Sequence, residues 1–193
     1  QAHHIGDKRG AYQTFEDGRK SDVSSACHWT VNIAASAGHG QIYTGAYSVS
    51  PCGIFVHPDS GINTPDDLAG VPISVGHQSG SHYSTIQALE RFLKPEDIHL
   101  SFNDGLLWAR MEKLIDGEVP AASLFSGTYY FLAQLGFKKI AETTFMMAGM
   151  ITGDIDADTV AKYYAALKKA QFDIDLRPEL YVHYYKEEFP ERF

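Results

Sequence analysis

"VPISVGHQSGSHYSTIQALERFL", residues 71–93, decides how the chain is read. Val71 to Gly76 is a short apolar run of the kind that forms a strand buried on both faces. Glycines, serines and histidines follow at once. From Ser79 the spacing turns helical, with His82, Ile86, Leu89 and Leu93 at i, i+4, i+7 and i+11 on one predicted face. A strand that passes into a helix through such a loop is the repeating unit of α/β proteins. In open sheets of that class, ligands sit beyond the carboxyl ends of the strands.

The same unit recurs on either side. "DVSSACHWTVNIAASAG" (22–38) gives a strand end, a Ser/Cys/His turn and a helix closed by Gly38. Further strands are expected in 47–57, 98–102, 121–125 and 138–152. "TPDDLAG" (64–70) is a short capped turn, with Thr64 as N-cap, Pro65 at the first position and Gly70 as stop. Leu107, Met111 and Leu114 mark a helix that ends at Gly117. Val160, Tyr164, Leu167 and Ala170 mark another capped by Asp156 or Asp158, and an aromatic-striped tail helix runs toward Pro190. The aromatics of the last two helices are expected to be packing surface. Parallel sheets with crossover connections follow from this order.

Composition narrows the function. A formal net charge of -8 argues against nucleic acid as a partner, which would need clustered Lys and Arg. No apolar run is long enough for a spanning helix, so membrane insertion is not expected. The reading is of a soluble chain, periplasmic if a secretory signal has been removed and cytoplasmic otherwise. Cys27 and Cys52 read as free thiols rather than a disulfide scaffold. The nine histidines form no HExxH pattern, and neither a metal nor a cofactor is expected.

The rule for ligand position picks three loops, 24–29, 76–82 and 125–130. In the second, Gly76 and Gly80 permit close backbone approach, and Ser79 and Ser81 supply hydroxyls. The open N–H groups of the helix start favour a carboxylate, sulfonate or phosphate. His77 and His82 flank the loop, whose bland reading is a capped helix after a glycine turn. In the first loop Cys27, His28 and Trp29 stand side by side. Cys27 is either a trapped core thiol or, with His28, a nucleophile and its acid/base partner; Trp29 is either core or a flat wall for an aromatic ligand. In the third, Ser126, Gly127, Thr128 and Tyr129 open a helix that either contacts the same ligand or is merely capped.

"DSGINTPDDLAGVPISVGHQSGSHYSTIQALERF" (59–92) together with "LIDGEVPAASLFSGTYYFLAQLGFKKIAET" (114–143) resembles the type-2 periplasmic solute-binding protein superfamily, over residues 14–190. The likeness is greatest to the branch that binds sulfonates, nitrate and pyrimidine precursors. Pro120 stands where that family's segment usually has an acid. The resemblance implies a bilobed α/β fold that closes on a small molecule, with residues 1–57 plus 155–193 as one lobe and 58–154 as the other. "FEDGRKSDVSSACHW" (15–29) resembles a family segment normally preceded by a further strand, helix and strand. The first lobe is therefore expected to be incomplete in this chain, with a second chain or a homo-oligomer completing it. "GDKRGAYQTFEDGRKSDVSS" (6–25) is equally similar to the dihydroxyphthalate decarboxylase-like branch of the superfamily. That likeness keeps open an enzyme subunit, a lyase or hydrolase acting on a small organic acid with Cys27 and His28 as its catalytic groups. The first expectation is a binder of a small organic molecule, anionic or aromatic, in an interlobe cleft.

Overall fold

The computed structural model describes residues 22–42, 48–102, 107–151 and 155–188. The chain divides into two units, Gln1–Gly153 and Asp154–Phe193. The first holds two sheets. One is built on β9 (Phe145–Ile151), flanked on one side by β1 (Val23–Cys27) and on the other by β2 (Gln41–Ile42) and β3 (Ser48–Ser50). The other has the order β6 (Leu100–Phe102), β5 (Ile73–Val75), β7 (Ala121–Phe125), β4 (Cys52–Val56), β8 (Lys138–Glu142).

A two-stranded ribbon joins the sheets. Ser48 faces Met147 and Ser50 faces Phe145 in the first sheet. In the second, Gly53 faces Glu142 and Ile54 faces Ala141 in the same register, and between them Thr143 N–H donates to Cys52 O at 2.7 Å. The expectation of parallel sheets needs correction here. Among the described residues only β5 pairs in parallel, with β6 and β7; the pairings of the first sheet, and both neighbours of β4, are antiparallel. One strand of the ribbon enters the second sheet and the other leaves it, so the two must run in opposite directions. The sequence hides this because β4 is buried at all five positions, as a central parallel strand would be.

Two apolar layers cover the second sheet. Ile54, Val56, Leu68, Ile73, Val75 and Leu89 form one; Phe55, Met111, Leu114, Leu124 and Leu132 form the other. The alternation of Ile54, Phe55 and Val56 between layers is the period of two that a pleated strand imposes. Leu68 is delivered by the 3-10 turn Pro65–Leu68, whose Asp67 carboxylate accepts from the Asn63 and Thr64 N–H groups. The Thr64–Asp67 capping box of this turn also matches the cap read from the sequence.

The helices after the strands are α1 (His28–Ser36), α2 (Gly80–Leu89), α3 (Leu107–Ile115) and α4 (Gly127–Gln134). α2 differs from its sequence reading. Its buried face is Gly80, Ser81, Ser84, Thr85 and Leu89, not the stripe of His82, Ile86, Leu89 and Leu93. Small side chains let the helix lie close on β7; the Ser81 hydroxyl joins Ser79 and Arg110 in a buried hydrogen-bonded cluster, while the Ser84 and Thr85 hydroxyls are buried without a partner among the described residues. The His82 stripe is only half-buried at its first two positions.

The second unit contains α5 (Ala157–Leu176), a 3-10 turn (Pro178–Leu180) and α6 (Val182–Glu188). Asp156 caps α5, accepting from Thr159 N–H at 2.9 Å and Thr159 Oγ1 at 2.7 Å. Surface pairs Asp158–Lys162 and Lys169–Asp173 brace it at i,i+4 spacing. Of the aromatics expected as packing surface on α5, Tyr163 and Tyr164 are half-buried, the Tyr164 hydroxyl fully so, while Leu167 on the same stripe is exposed and Phe172 and Leu176 are each 65% exposed. Helical spacing alone cannot tell a stripe that is covered from one that is not.

Candidate functional site

One ring joins the three loops, and sequence reading passed over it. Phe145, the first residue of β9 and 4% exposed, packs against Trp29 (ring centroids 6.4 Å apart) and Phe125 (5.4 Å). It also lies so close to Gly80 that a Cβ there would stand 2.5 Å from its ring. Trp29, Gly80 and Phe125 belong to the first, second and third loops in turn. The close approach that Gly80 permits is thus taken by Phe145.

In the first loop Cys27 caps α1. Its sulfur accepts from Thr30 N–H at 3.4 Å and lies 2.9 Å from Thr30 Oγ1. The one proton on Thr30 Oγ1 is donated across to Gln78 O at 3.0 Å, so the hydrogen between Cys27 and Thr30 is the thiol's. That Thr30–Gln78 bond ties the first loop to the second. The neighbouring His28 does not share the thiol proton: its Nδ1 donates to Met146 O at 3.1 Å, and its ring lies on Trp29 with centroids 3.8 Å apart. Cys27 and Cys52 are both buried free thiols in the apolar cluster around Phe145. Burial pushes the Cys52 thiol up, opposed by hydrogen bonding and by the nearby Arg110 charge.

The second loop is wired from within. Ser79 Oγ donates to Gly76 O (2.7 Å), which leaves Ser81 Oγ as donor in the 2.8 Å contact between the two hydroxyls. Ser81 Oγ in turn accepts from Gly76 N–H (3.0 Å) and Arg110 Nη1 (3.2 Å). Ser81 is fully buried and works behind the surface. The room at Gly76 is filled by Arg110, whose Nη2 would lie 2.9 Å from a Cβ there. With Ser79 so engaged, the helix start has no side-chain cap, and the Gly80 and Ser81 N–H groups meet no acceptor among the described residues.

His82 Nδ1 accepts from Gln78 N–H at 3.1 Å and so carries no proton. Burial, and then the charge of His77, hold its pKa below the ordinary value. A row of rings runs outward from Trp29 through Tyr83 (6.0 Å) and His82 (4.6 Å from Tyr83) to Phe102 (4.9 Å from His82). His77 is exposed at its end, 5.0 Å from Phe102.

The third loop places its residues unequally. Ser126 Oγ lies 3.2 Å from Ser50 Oγ on the ribbon, and its N–H donates to Pro51 O at 3.1 Å. Gly127 is exposed beside it. Thr128 is buried and donates to Phe125 O at 2.8 Å, while the Tyr129 hydroxyl is held by Lys139 (2.7 Å) and Glu142 (3.1 Å) on β8. Ser126 (φ 54°) and Gln78 (φ 53°) are the two non-glycine residues with positive φ among those described. Such strain gathers at ligand clamps and switch regions, and here both cases fall in loops picked by the ligand-position rule.

Sequence reading missed Phe145, Gln78, Thr30 and Arg110. Arg110 did leave a signal. It falls within the apolar spacing of Leu107, Met111 and Leu114, where a charge has to be buried, and it is 6% exposed. Burial lowers its pKa to about 10. Nη1 also donates to Ser123 O (2.9 Å), Nε has no partner, and no carboxylate pairs with the guanidinium among the described residues. No group of three metal-ligating side chains occurs among those residues either.

No family model and no curated protein matches the sequence. Solved structures do. The alkanesulfonate-binding protein SsuA from Xanthomonas axonopodis pv. citri bound to MOPS aligns over 88% of this chain and 62% of its own, with TM-score 0.62 and 19% identity. The substrate-binding protein of an amino acid ABC transporter gives 0.60 and 16%, over 86% and 72%. This is the type-2 periplasmic-binding-protein fold. The aliphatic sulphonate-binding SsuA from Escherichia coli shares it at TM-score 0.53 and 22% identity, over 72% of this chain and 49% of its own. The chain thus spans about half to three-fifths of the length of the sulfonate-binding proteins that share this type-2 fold. No described helix is long and apolar enough to cross a membrane.

Proposed function

We propose that the chain binds a small organic anion with a planar or aromatic body where the 24–30, 76–83 and 125–128 loops meet. The observation that carries this reading is the convergence of all three loops on Phe145, with the Thr30–Gln78 bond tying two of them together. The anion is set at the start of α2, whose Gly80 and Ser81 N–H groups meet no acceptor among the described residues, and the body lies along Trp29, Tyr83 and His82, with His28, Ser79, Ser126 and Gly127 near the rim. Neighbours of the same fold supply support by chemistry: one holds MOPS, a sulfonate, and another is described as bound to L-arginine, which carries a carboxylate.

Binding without chemistry is the better-supported reading. As a lyase or hydrolase centre, Cys27 and His28 would need to exchange a proton, and their hydrogen bonds lead to Thr30 and Met146 instead. An added strand also belongs to the proposal. Among the described residues β1 pairs with β9 alone, and its other edge is open to a strand from elsewhere in the protein or from a second chain.

Titration calorimetry with benzenesulfonate, benzoate and the neutral benzyl alcohol tests the reading, alongside tryptophan fluorescence of the protein and of Trp29→Phe. Saturable binding of the two acids with a fluorescence change absent from Trp29→Phe is expected, and both acids should be recovered unaltered. A folded protein that binds neither acid overturns the proposal; turnover that disappears in Cys27→Ala replaces it with the enzyme reading.

A further inference from the structure

Arg110 is a buried cation without an internal anion among the described residues. A charge taken out of water is retained when something compensates it, and hydrogen bonds from Nη1 to Ser81 Oγ and Ser123 O compensate only in part. Its other groups bear on the ligand loop. Nη2 lies under Gly76, at the distance that leaves room for a glycine alone. From Nη1 the donors run in one direction, Arg110 to Ser81, Ser81 to Ser79, Ser79 to Gly76 O, so both serine hydroxyls are polarised by the same charge. The start of α2, with its two open amides, stands above this arrangement.

We propose that Arg110 is the built-in counter-charge of the 76–82 loop: it fixes the loop through Ser81 and Ser79 and makes the ligand bound at the start of α2 an anion. This rests on the binding reading above and names the residue that sets its charge selectivity. Arg110 acts as a positioning residue, since Ser81 and Gly76 stand between it and the ligand. The buried hydroxyls of Ser84 and Thr143 are neutral and so offer no charge that would replace a bound anion.

The test reads a ratio of affinities, benzenesulfonate over benzyl alcohol, so that damage to the apolar wall cancels. Arg110→Gln should lower the ratio at least tenfold, and Arg110→Lys should keep it within about threefold of the original protein. Cys52→Asp, which places a carboxylate beside an intact Arg110, should lower the ratio as Arg110→Gln does, and it decides the matter if Arg110→Gln does not fold. A ratio unchanged in folded Arg110→Gln or Cys52→Asp overturns the role of Arg110 while leaving the binding site standing. Absence of benzenesulfonate binding in the unaltered protein overturns both.

Discussion

The starts of α2 and α5 show two ways of ending a helix. α5 satisfies itself: the Asp156 carboxylate takes the Thr159 N–H and hydroxyl, and no residue of the helix is buried. α2 has serines at the same place and does not use them so. Ser79 turns to Gly76 O, Ser81 turns inward to Arg110, and the amides of Gly80 and Ser81 meet no acceptor among the described residues. What holds α2 comes from other elements, namely Phe145 on β9, Thr30 on α1 and Arg110 on α3. A self-capped start has only structure to explain it, whereas one held from outside with its donors left open is suited to receive a ligand.

The largest break in this comparison comes from the ring. Phe145→Ala should cost about 3–5 kcal/mol in chemical unfolding, the range for deleting a buried aromatic side chain. Gly80→Ala should cost about 1–3 kcal/mol, because Phe145 is confined by Trp29 and Phe125 and cannot move aside. In the double variant the Gly80→Ala penalty should largely vanish, since the three atoms nearest the added Cβ all belong to the ring. Additive penalties would show that Gly80 is needed for its backbone and not for the room it leaves.

Thr30→Val comes next. It removes the bond to Gln78 O and the acceptor of the Cys27 thiol, and about 1 kcal/mol of stability should be lost. Benzenesulfonate affinity should fall with it, because Gln78 sits at φ 53° and relies on its partners. Stability lost with affinity unchanged would separate the two loops functionally.

How much of this was legible beforehand differs between the same two helices. The cap of α5 was narrowed to Asp156 or Asp158, and it is Asp156; a cap is a local event within four residues and so leaves a mark in the sequence. The existence of α2 and its loop was also legible, from periodicity and glycines. Its buried face was not: Ser81, Ser84 and Thr85 look polar, and their burial follows from the packing of the helix on β7 and, for Ser81 alone, from its bond to Arg110. Phe145 left no trace because it follows an ordinary strand pattern, and its role comes from a ribbon register that no local window contains. The stripe of α5 is covered only in part, with Tyr163 and Tyr164 half-buried and Leu167 exposed, since a stripe records a tendency to be covered and says nothing of a cover.

A smaller effect should appear with pH at α2. His82 accepts from Gln78 N–H and its folded pKa lies below the ordinary 6.5, through burial and then His77. The unfolded chain therefore takes up the proton first. The contribution is present above 6.5 and is lost as pH falls through the lower folded value. The ring is half exposed, so less than about 1 kcal/mol is expected after screening. Unfolding midpoints between pH 7.5 and 5 should show the loss, and His82→Gln should flatten it.

The smallest effect belongs to the self-capped start. Hydrogen bonds from Thr159 N–H and its hydroxyl hold the Asp156 pKa below the ordinary 3.8. Here the unfolded chain again protonates first, so the cap's contribution is present above 3.8 and is lost as pH falls through the folded value. Helicity measured by circular dichroism should decline slightly more below pH 4 in the unaltered protein than in Asp156→Asn, whose amide oxygen still accepts. Benzenesulfonate binding at neutral pH should be the same in both. A change in that binding on altering Asp156 would mean that the self-capped start also takes part in the site, and the contrast between the two helices would fall.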